Sequence, residues 1–409
     1  MKVAIAGYGA EGKSSYRYFV DKGNDVTIVT NRVSEQFPIP EGAQSIVSDD
    51  AFSRLENFEL VVRTPPMRPD SIVTSGKIWS QTNEFFAQCP APIIGVTGTK
   101  GKGTTSSFIA SILNAGGYTV HLVGNIGQPP LDVLPSIAAQ DVVVYELSSF
   151  QLWDLEKSPH TAVLLMIEPD HLDIHRDFAE YVAAKANITR FQTESDVLVY
   201  NAENTVATVI AAQSKAKKVP FPFEIDEFVS SLQIPGVHNV ENAAAAIAAV
   251  RAYVQDPEVI RQGLAAFHGL PHRLKFVREV RGVSYYDDSI ATTPGSAIAA
   301  MRSFDAPKLL ILGGSDKGAE YEQVVAVAKE TGTRVLAIGQ TGTNIQRLCE
   351  ASGVDVVREE GRMDAVVKRA SELSVPGGVV LLSPASASFD QYKSYTDRGE
   401  QFVVAVGEL

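Results

Sequence analysis

Lys102 in the stretch "GVTGTKGKGTTSS" (residues 95–107) stands where a glycine-rich turn runs into an amphipathic segment. That order suits phosphate chemistry. Glycines let a loop wrap with its N–H groups inward, a helix N-terminus adds partial positive charge, and a lysine there reaches outer phosphates. The pattern departs from GxxxxGK[ST], because Val96 lies five positions before Gly101 and Gly103 follows the lysine. The motif reads T-G-T-x-G-K instead. Thr104, with Thr105 beside it, is then the hydroxyl expected to take the metal-binding role. A tight turn without a ligand is the alternative.

Three further groups follow strands of the same kind. Glu146 ends the run in "VVVYELSSFQL", Asp170 and His171 follow "TAVLLMIE", and Lys185 lies in "YVAAKANI". A carboxylate and an imidazole near a phosphate loop suit Mg²⁺. Taken singly, each has an ordinary reading: a paired glutamate, a structural histidine, a lysine facing solvent. A second glycine turn, Gly7, Gly9 and Gly12 in "AGYGAEGKS", follows the first strand. Readers of NAD need an acidic residue at the end of the next strand. Thr30, Asn31 and Arg32 stand there instead. The turn is expected to grip a diphosphate other than that of NAD. A ligand-free turn, or an NADP site using Arg32, are the alternatives.

These residues need strands to hold them. The runs "KVAIAGYG", "DVTIVT", "ELVVRT", "PIIGVTG", "DVVVYEL", "TAVLLMIE", "VLVYNA", "KLLILGG", "RVLAIG" and "GVVLLSP" alternate with helical patterns. This predicts an α/β protein of parallel sheets, with ligands beyond the carboxyl ends of strands. A chain of 409 residues exceeds one ordinary core. Breaks before "NEFFAQCPAPIIGVTG" and near "FHGLPHRLKF" divide it into about 1–80, 81–269 and 270–409. Hydrophobic content of 45% and charged content of 21% describe a globular chain. The net charge of −12 argues against a nucleic-acid binder. No apolar run reaches the roughly 18 residues of a membrane span. The opening "MKVAIAGYGAEGKSS" is not a signal peptide, so a cytoplasmic protein is expected. Cys89 and Cys349 lack metal spacing and read as reduced thiols.

The motifs "TGTKGKGTT", "GNIGQP", "YELSSFQL", "EPDHLDIH", "AAKANI", "HNVENAAAA", "GLPHRL", "YYDDSIATTP", "LGGSDKG" and "SPASASFDQYKSYTDRGEQF" resemble the Mur ligase family, in order and across essentially the whole chain. The nearest pattern is the branch that adds glutamate to UDP-N-acetylmuramoyl-L-alanine. The resemblance implies a Rossmann-like N-terminal domain for the uridine diphosphate and a central P-loop ATPase domain. It also implies a Rossmann-like C-terminal amino-acid domain that closes over them, bringing Arg273 to the transferred phosphoryl. ATP would phosphorylate the substrate carboxylate, and glutamate's amine would displace phosphate from the acyl phosphate. Two Mg²⁺ ions and a monomer are implied.

Residue by residue, the resemblance gives ATP to Gly98, Thr99, Lys100, Gly101, Lys102, Gly103, Thr104 and Thr105, with Asn239, Asn242, Arg273 and Asp288. It gives the metals to Thr104, Glu146, His171 and Lys185, the last as a carbamate. Gly9, Ala10, Glu11, Thr30, Asn31, Arg32, Thr64 and Asn125 fall where relatives bind the UDP-muramoyl substrate. Thr292, Lys317, Ser388 and Tyr395 fall at the glutamate carboxylates. Lys102, Lys185, His171 and Arg273 are the expected catalytic groups. Three departures stand out. Gly103 replaces a usual serine and resembles folylpolyglutamate synthase. Ile290 replaces a common lysine, which opens L-glutamate as an alternative to D-glutamate. "RTPP" at 63–66 replaces Ser-Pro-Gly. A folylpolyglutamate-synthase-like ligase and a non-catalytic UDP-sugar-binding relative are the other readings. The first eighty residues oppose the former, and the joint presence of Lys102, Glu146, His171 and Lys185 opposes the latter.

Overall fold

The computed structural model describes residues 1–316 and 318–409. Short β-branched runs form three sheets, with helices between most strands. The first contains β1 (Lys2–Ala6), β2 (Asp25–Thr30), β3 (Gln44–Val47), β4 (Leu60–Arg63) and β5 (Lys77–Ser80). Its order is β3-β2-β1-β4-β5 and all its pairings are parallel. The second contains β6 (Ile93–Thr97), β7 (Val120–Gly124), β8 (Val142–Glu146), β9 (Thr161–Leu164), β10 (Val197–Asn201) and β11 (Lys217–Phe221). Its order is β11-β10-β9-β6-β8-β7, again all parallel.

The third sheet contains β12 (Lys275–Val280), β13 (Val283–Asp287), β14 (Lys308–Gly313), β15 (Arg334–Ile338), β16 (Val356–Arg358) and β17 (Val379–Leu382), ordered β12-β13-β17-β14-β15-β16. Here the expectation of purely parallel sheets needs amendment, because β12 pairs antiparallel with β13. The two-residue connection Arg281–Gly282 has φ of 52° and 75°. Positive φ at both central positions is what a tight hairpin turn requires.

The chain packs as two compact units, Met1–Ser231 with Glu241–Leu264, and Leu232–Val240 with Ala265–Leu409. The first holds two sheets and the second holds the third. The segment Leu232–Val240, although it precedes the break read near residue 269, packs with the second unit. No helix among the described residues is long and apolar enough to cross a membrane.

The interior strands β6, β8 and β14 are buried along their whole length. Each fully buried Val, Leu or Ile side chain contributes roughly 1.5–3 kcal/mol. Position in the sheet then decides where chemistry can occur. β6 lies between β8 and β9, so the turn leaving β6 is flanked by the ends of those two strands. In the first sheet, order reverses between β1 and β4, the usual crevice for a ligand.

The helix Lys102–Ala115 that follows β6 is anchored by an unusually close crossing. A Cβ placed on Gly263 would lie 2.4 Å from the Cα of Ile112. Ser111 Oγ donates to the Gly263 carbonyl at 2.6 Å across the same crossing. Gly263→Ala should therefore force the helices apart and destabilise the first unit by about 1–3 kcal/mol, measured as a lower urea midpoint.

Candidate active site

The turn after β6 is shaped by two glycines that nothing larger can replace. Gly98 has φ of 155°, and a Cβ there would lie 2.6 Å from Leu165 Cβ. Gly101 has φ of 85°, and its Cβ would lie 2.3 Å from Asn242 Oδ1. Thr99 stitches the turn to the segment after β9. Its N–H donates to the Met166 carbonyl at 2.8 Å, its hydroxyl accepts from the Glu168 N–H at 2.9 Å, and it meets Tyr181 OH at 3.0 Å. Lys102 opens the helix, and its Nζ donates to the Gly98 and Thr99 carbonyls at 3.1 and 3.0 Å. The ammonium is thus folded over the loop it belongs to. Lys100 instead reaches outward to Glu168 at 3.5 Å, an exposed pair of little energetic consequence.

The two hydroxyls after Gly103 differ. Thr105 is fully buried and donates to Asn242 Oδ1 at 3.2 Å. Thr104 is 5% exposed, and its hydroxyl forms no hydrogen bond among the described residues. Thr104 is therefore the one with an oxygen left to offer.

Glu146, at the end of β8, is 3% exposed. Its Oε1 accepts from Asn125 Nδ2 at 3.1 Å, whereas Oε2 has no hydrogen-bond partner. A buried carboxylate oxygen without a donor is costly unless a cation meets it. Lys185 is 1% exposed, donates to the Gly98 carbonyl at 2.8 Å, and lies 4.7 Å from the centre of the Tyr181 ring. Burial, reinforced by the charge of Lys102, holds its amine well below the ordinary lysine range, while Asp170 and Glu146 oppose the shift. His171 is half-exposed with φ of 53°, its Nε2 3.6 Å from Asp170 Oδ2. Among the described residues no three His, Cys, Asp or Glu side chains converge as a metal cluster. Magnesium does not need one, since it keeps waters and phosphate oxygens in its shell. Glu146 Oε2 and the Thr104 hydroxyl are donors of the hard oxygen type that this ion takes.

In the first sheet, Gly7 and Gly12 are required by packing. Their Cβ atoms would lie 2.1 Å from Thr64 Oγ1 and 2.3 Å from the Gly7 carbonyl oxygen. A Cβ on Gly9 would meet nothing within 4 Å, so packing makes no demand there. Ala10 is exposed beside it, and Asn31 and Arg32 are exposed past β2, where Thr30 Oγ1 donates to the Arg32 carbonyl at 2.9 Å. Glu11 accepts from Gln151 Nε2 at 2.8 Å. Burial pushes its carboxyl up to about 7, partly offset by Gln151 and Arg63.

Arg63, at the end of β4, is 2% exposed and turns toward the central sheet. Nε and Nη2 grip Asp154 at 2.8 and 2.5 Å, Nη1 donates to the Pro65 and Met67 carbonyls, and Nη2 donates to the Phe150 carbonyl at 2.9 Å. All five guanidinium N–H groups are occupied. The departure "RTPP" is thus a tie between two sheets, with Thr64 left at the strand end, its Oγ1 on the Ala6 carbonyl at 3.1 Å.

In the second unit, Asp288 accepts from the Leu274 N–H at 3.0 Å and from Ser383 Oγ at 2.6 Å. Burial pushes its carboxyl up to about 7 against those two donors. Oδ1 holds the turn that carries exposed Arg273 between His272 (φ 57°) and Leu274 (φ 43°), and Oδ2 ties Asp288 to Ser383 just past β17. His272 Nδ1 meets Asp287 Oδ2 at 2.7 Å. Asn239 is buried with Nδ2 on the Pro235 carbonyl at 2.6 Å. Ser388 is buried, Thr292 is exposed, and Tyr395 stands edge-on to His272 with centroids 6.3 Å apart. The Ile290 N–H donates to the His272 carbonyl at 3.0 Å. Lys317 lies outside the described residues.

The Mur ligase middle domain family matches residues 96–227, and the family described as Mur ligase, glutamate ligase domain matches 272–386. The chain is 36% identical to a UDP-N-acetylmuramoylalanine–D-glutamate ligase of Acetivibrio thermocellus, over all of this chain and 96% of that protein. The chain belongs to the Mur ligase family. A second protein of the same description, from Streptococcus thermophilus, is 35% identical over all of this Mur ligase and 97% of its relative. The crystal structure of the UDP-N-acetylmuramate–alanine ligase MurC of Thermotoga maritima shares the fold, with a TM-score of 0.63 at 19% identity, over all of this chain and 99% of that one.

The structure gathers Lys102, Thr104, Lys185 and Glu146 at one end of the central sheet of this Mur ligase, and leaves His171 on a half-exposed turn there. Sequence reasoning missed Arg63, Asp154, Arg68, His175 and Arg398. Arg63 carried one signal, a charge ending the apolar run "LVV".

The Glu11 carboxyl yields a pH test. Its folded value lies above its ordinary one, so the stability it contributes is full below about 4.5 and is lost as pH rises through about 7. Glu11→Gln should match the parent near pH 4 and melt above it at pH 8, by differential scanning calorimetry.

Proposed function

We propose that this Mur ligase is an ATP-dependent amide ligase that adds D-glutamate to UDP-N-acetylmuramoyl-L-alanine in cytoplasmic peptidoglycan precursor synthesis. The observation that carries the reading is end-to-end similarity to D-glutamate ligases at 36% and 35% identity. The central site supports it with a glycine-shaped turn, a folded-back Lys102 and an unpartnered Glu146 oxygen.

In this reading the alanyl carboxylate attacks the γ-phosphorus of ATP, giving an acyl phosphate and ADP. The glutamate amine then attacks the acyl carbon, and phosphate leaves as the amide forms. Gly98 and the run from Lys100 to Thr104 offer N–H groups to the phosphates, Thr105 holds the helix start through Gly101 and Asn242, and Lys102 swings its ammonium from the loop carbonyls to the phosphates. Thr99 contributes by fixing the turn, because its N–H and its hydroxyl are both spent within the fold. Glu146, Thr104 and His171 would hold Mg²⁺, with Lys185 beside them. Bound Mg²⁺ ions would supply neutralising charge between phosphate oxygens and the approaching carboxylate.

Lys185 suits conversion to a carbamate. A neutral amine attacks CO₂, loses a proton and becomes an N-carboxylate, so the desolvation that favours the neutral amine favours this step. Asn125, through Glu146, and Gly9, Ala10, Glu11, Thr30, Asn31, Arg32 and Thr64 are assigned to the UDP-muramoyl substrate. Asn239, Asn242 and Arg273 are assigned to the nucleotide, with Asp288 acting by holding Arg273's turn. Thr292, Lys317, Ser388 and Tyr395 are assigned to glutamate. Domains of about 1–80, 81–269 and 270–409 are proposed to carry the three substrates, in a monomer that binds neither nucleic acid nor membrane.

Phosphate release with UDP-N-acetylmuramoyl-L-alanine should require ATP and D-glutamate and fail with L-glutamate. Release with L-glutamate alone would overturn the assignment and point to Ile290. Lys185→Ala should lose on the order of 10²-fold or more in kcat and regain part of it with added short carboxylic acids. Loss without rescue would remove the carbamate from the mechanism.

A further inference from the structure

Arg68 lies five residues past the end of β4, in the segment that also presents Thr64. Its guanidinium is bidentate to Glu180, at 2.8 Å from Nη1 and 2.7 Å from Nη2. Nη1 also donates to the Ile174 carbonyl at 2.9 Å, and the guanidinium lies 5.1 Å from the centre of the Trp153 ring. Asp70 accepts from the opposite side at 3.0 and 2.9 Å and joins Arg176. A planar fork serves this arrangement as a lysine cannot.

What Arg68 grips is the mounting of two predicted metal-side groups. The His171 carbonyl accepts from the Ile174 and His175 N–H groups at 3.1 and 2.9 Å, closing the turn on which His171 stands. Arg68 holds that turn at the Ile174 carbonyl. The His175 ring fixes it from inside. This ring is buried, stacks on Phe150 at 5.3 Å and 10°, approaches Trp153 at 4.4 Å, and has Nε2 3.0 Å from Ser149 Oγ. Its Nδ1 has no hydrogen-bond partner and faces Glu180 Oε2 at 3.6 Å. Glu180 itself belongs to the first turn of the helix Phe178–Arg190, capped by Asp177, which carries Lys185. Arg68 holds the Glu180 carboxyl down at about 2, so the pair stays ionised across the working pH range.

We propose that Arg68, acting through Glu180 and the 171–175 turn, is a positioning residue that sets His171 and Lys185 for the metal–nucleotide and couples their placement to the substrate segment at Thr64. The proposal rests on the ligase reading above. A residue that orients ligands from outside typically accounts for 10–100-fold in metal affinity.

The test uses the full chain and isothermal titration with a non-hydrolysable ATP analogue, with and without Mg²⁺. Arg68→Gln should weaken Mg²⁺-dependent binding about tenfold or more and leave Mg²⁺-free binding unchanged. Glu180→Gln should do the same, and the double variant should be no weaker than either single one, as for members of one network. Should Arg68→Gln melt early, Glu180→Gln carries the test, since it removes the fork's acceptor and leaves Arg68 in place. Unchanged Mg²⁺-dependent binding in both variants, equal losses with and without Mg²⁺, or additive losses would overturn the proposal. A parent chain with no Mg²⁺-dependent nucleotide binding would instead overturn the ligase reading.

Discussion

Glu146 and Lys185 are both withdrawn from water at one end of the central sheet, and no ion pair joins them among the described residues. Moving an ion into a protein interior costs several kcal/mol unless its lone pairs or protons are met. Lys185 answers by leaning toward the neutral amine. Glu146 keeps an oxygen with no donor. A site so arranged is less stable than it would be with a matched pair. The remaining architecture follows from this. β6 lies between β8 and β9, and Gly98 and Gly101 lack side chains, so that the turn leaving β6 can close against Leu165 and Asn242 at the same point.

Elsewhere the molecule treats buried charge differently. Arg63 is closed off by a carboxylate and three carbonyls. Arg398, 1% exposed in the helix Tyr395–Gly407, donates to Ser289 Oγ and to the Ser289, Ala387 and Ser386 carbonyls. Burial holds it down at about 10. Those bonds shape the loop that carries Ser388. The contrast separates groups satisfied by the fold from groups the fold leaves unmatched.

The ten runs read as strands from the sequence all form strands, and all lie inside their sheets or beside interior neighbours. The strands that escaped notice are β13 and every edge: β3, β5, β7, β11, β12 and β16. The cause is burial. Interior parallel strands are covered on both faces and read as continuous apolar runs. Edges such as β3 and β12 are mostly exposed and carry mixed residues like "QSIV" and "KFVREV". The site divides in a similar way. A glycine turn leading to a lysine and a helix is local, so the turn and the helix after it were legible. The choice between Thr104 and Thr105 depended on Asn242, which is distant in sequence. Arg68 with Glu180 and Arg63 with Asp154 are pairs of long separation, and nothing in either neighbourhood announces its partner.

The Arg63–Asp154 tie bears on how such enzymes exchange parts. Asp154's carboxylate is 21% exposed and is gripped by a guanidinium from the other sheet. A chimera taking its first eighty residues from a relative without an arginine there would strand a partly desolvated anion at the seam. The graft would also leave the Phe150 carbonyl without this donor. Recombination within the family therefore has to carry the arginine and the aspartate together, although ninety residues of chain separate them.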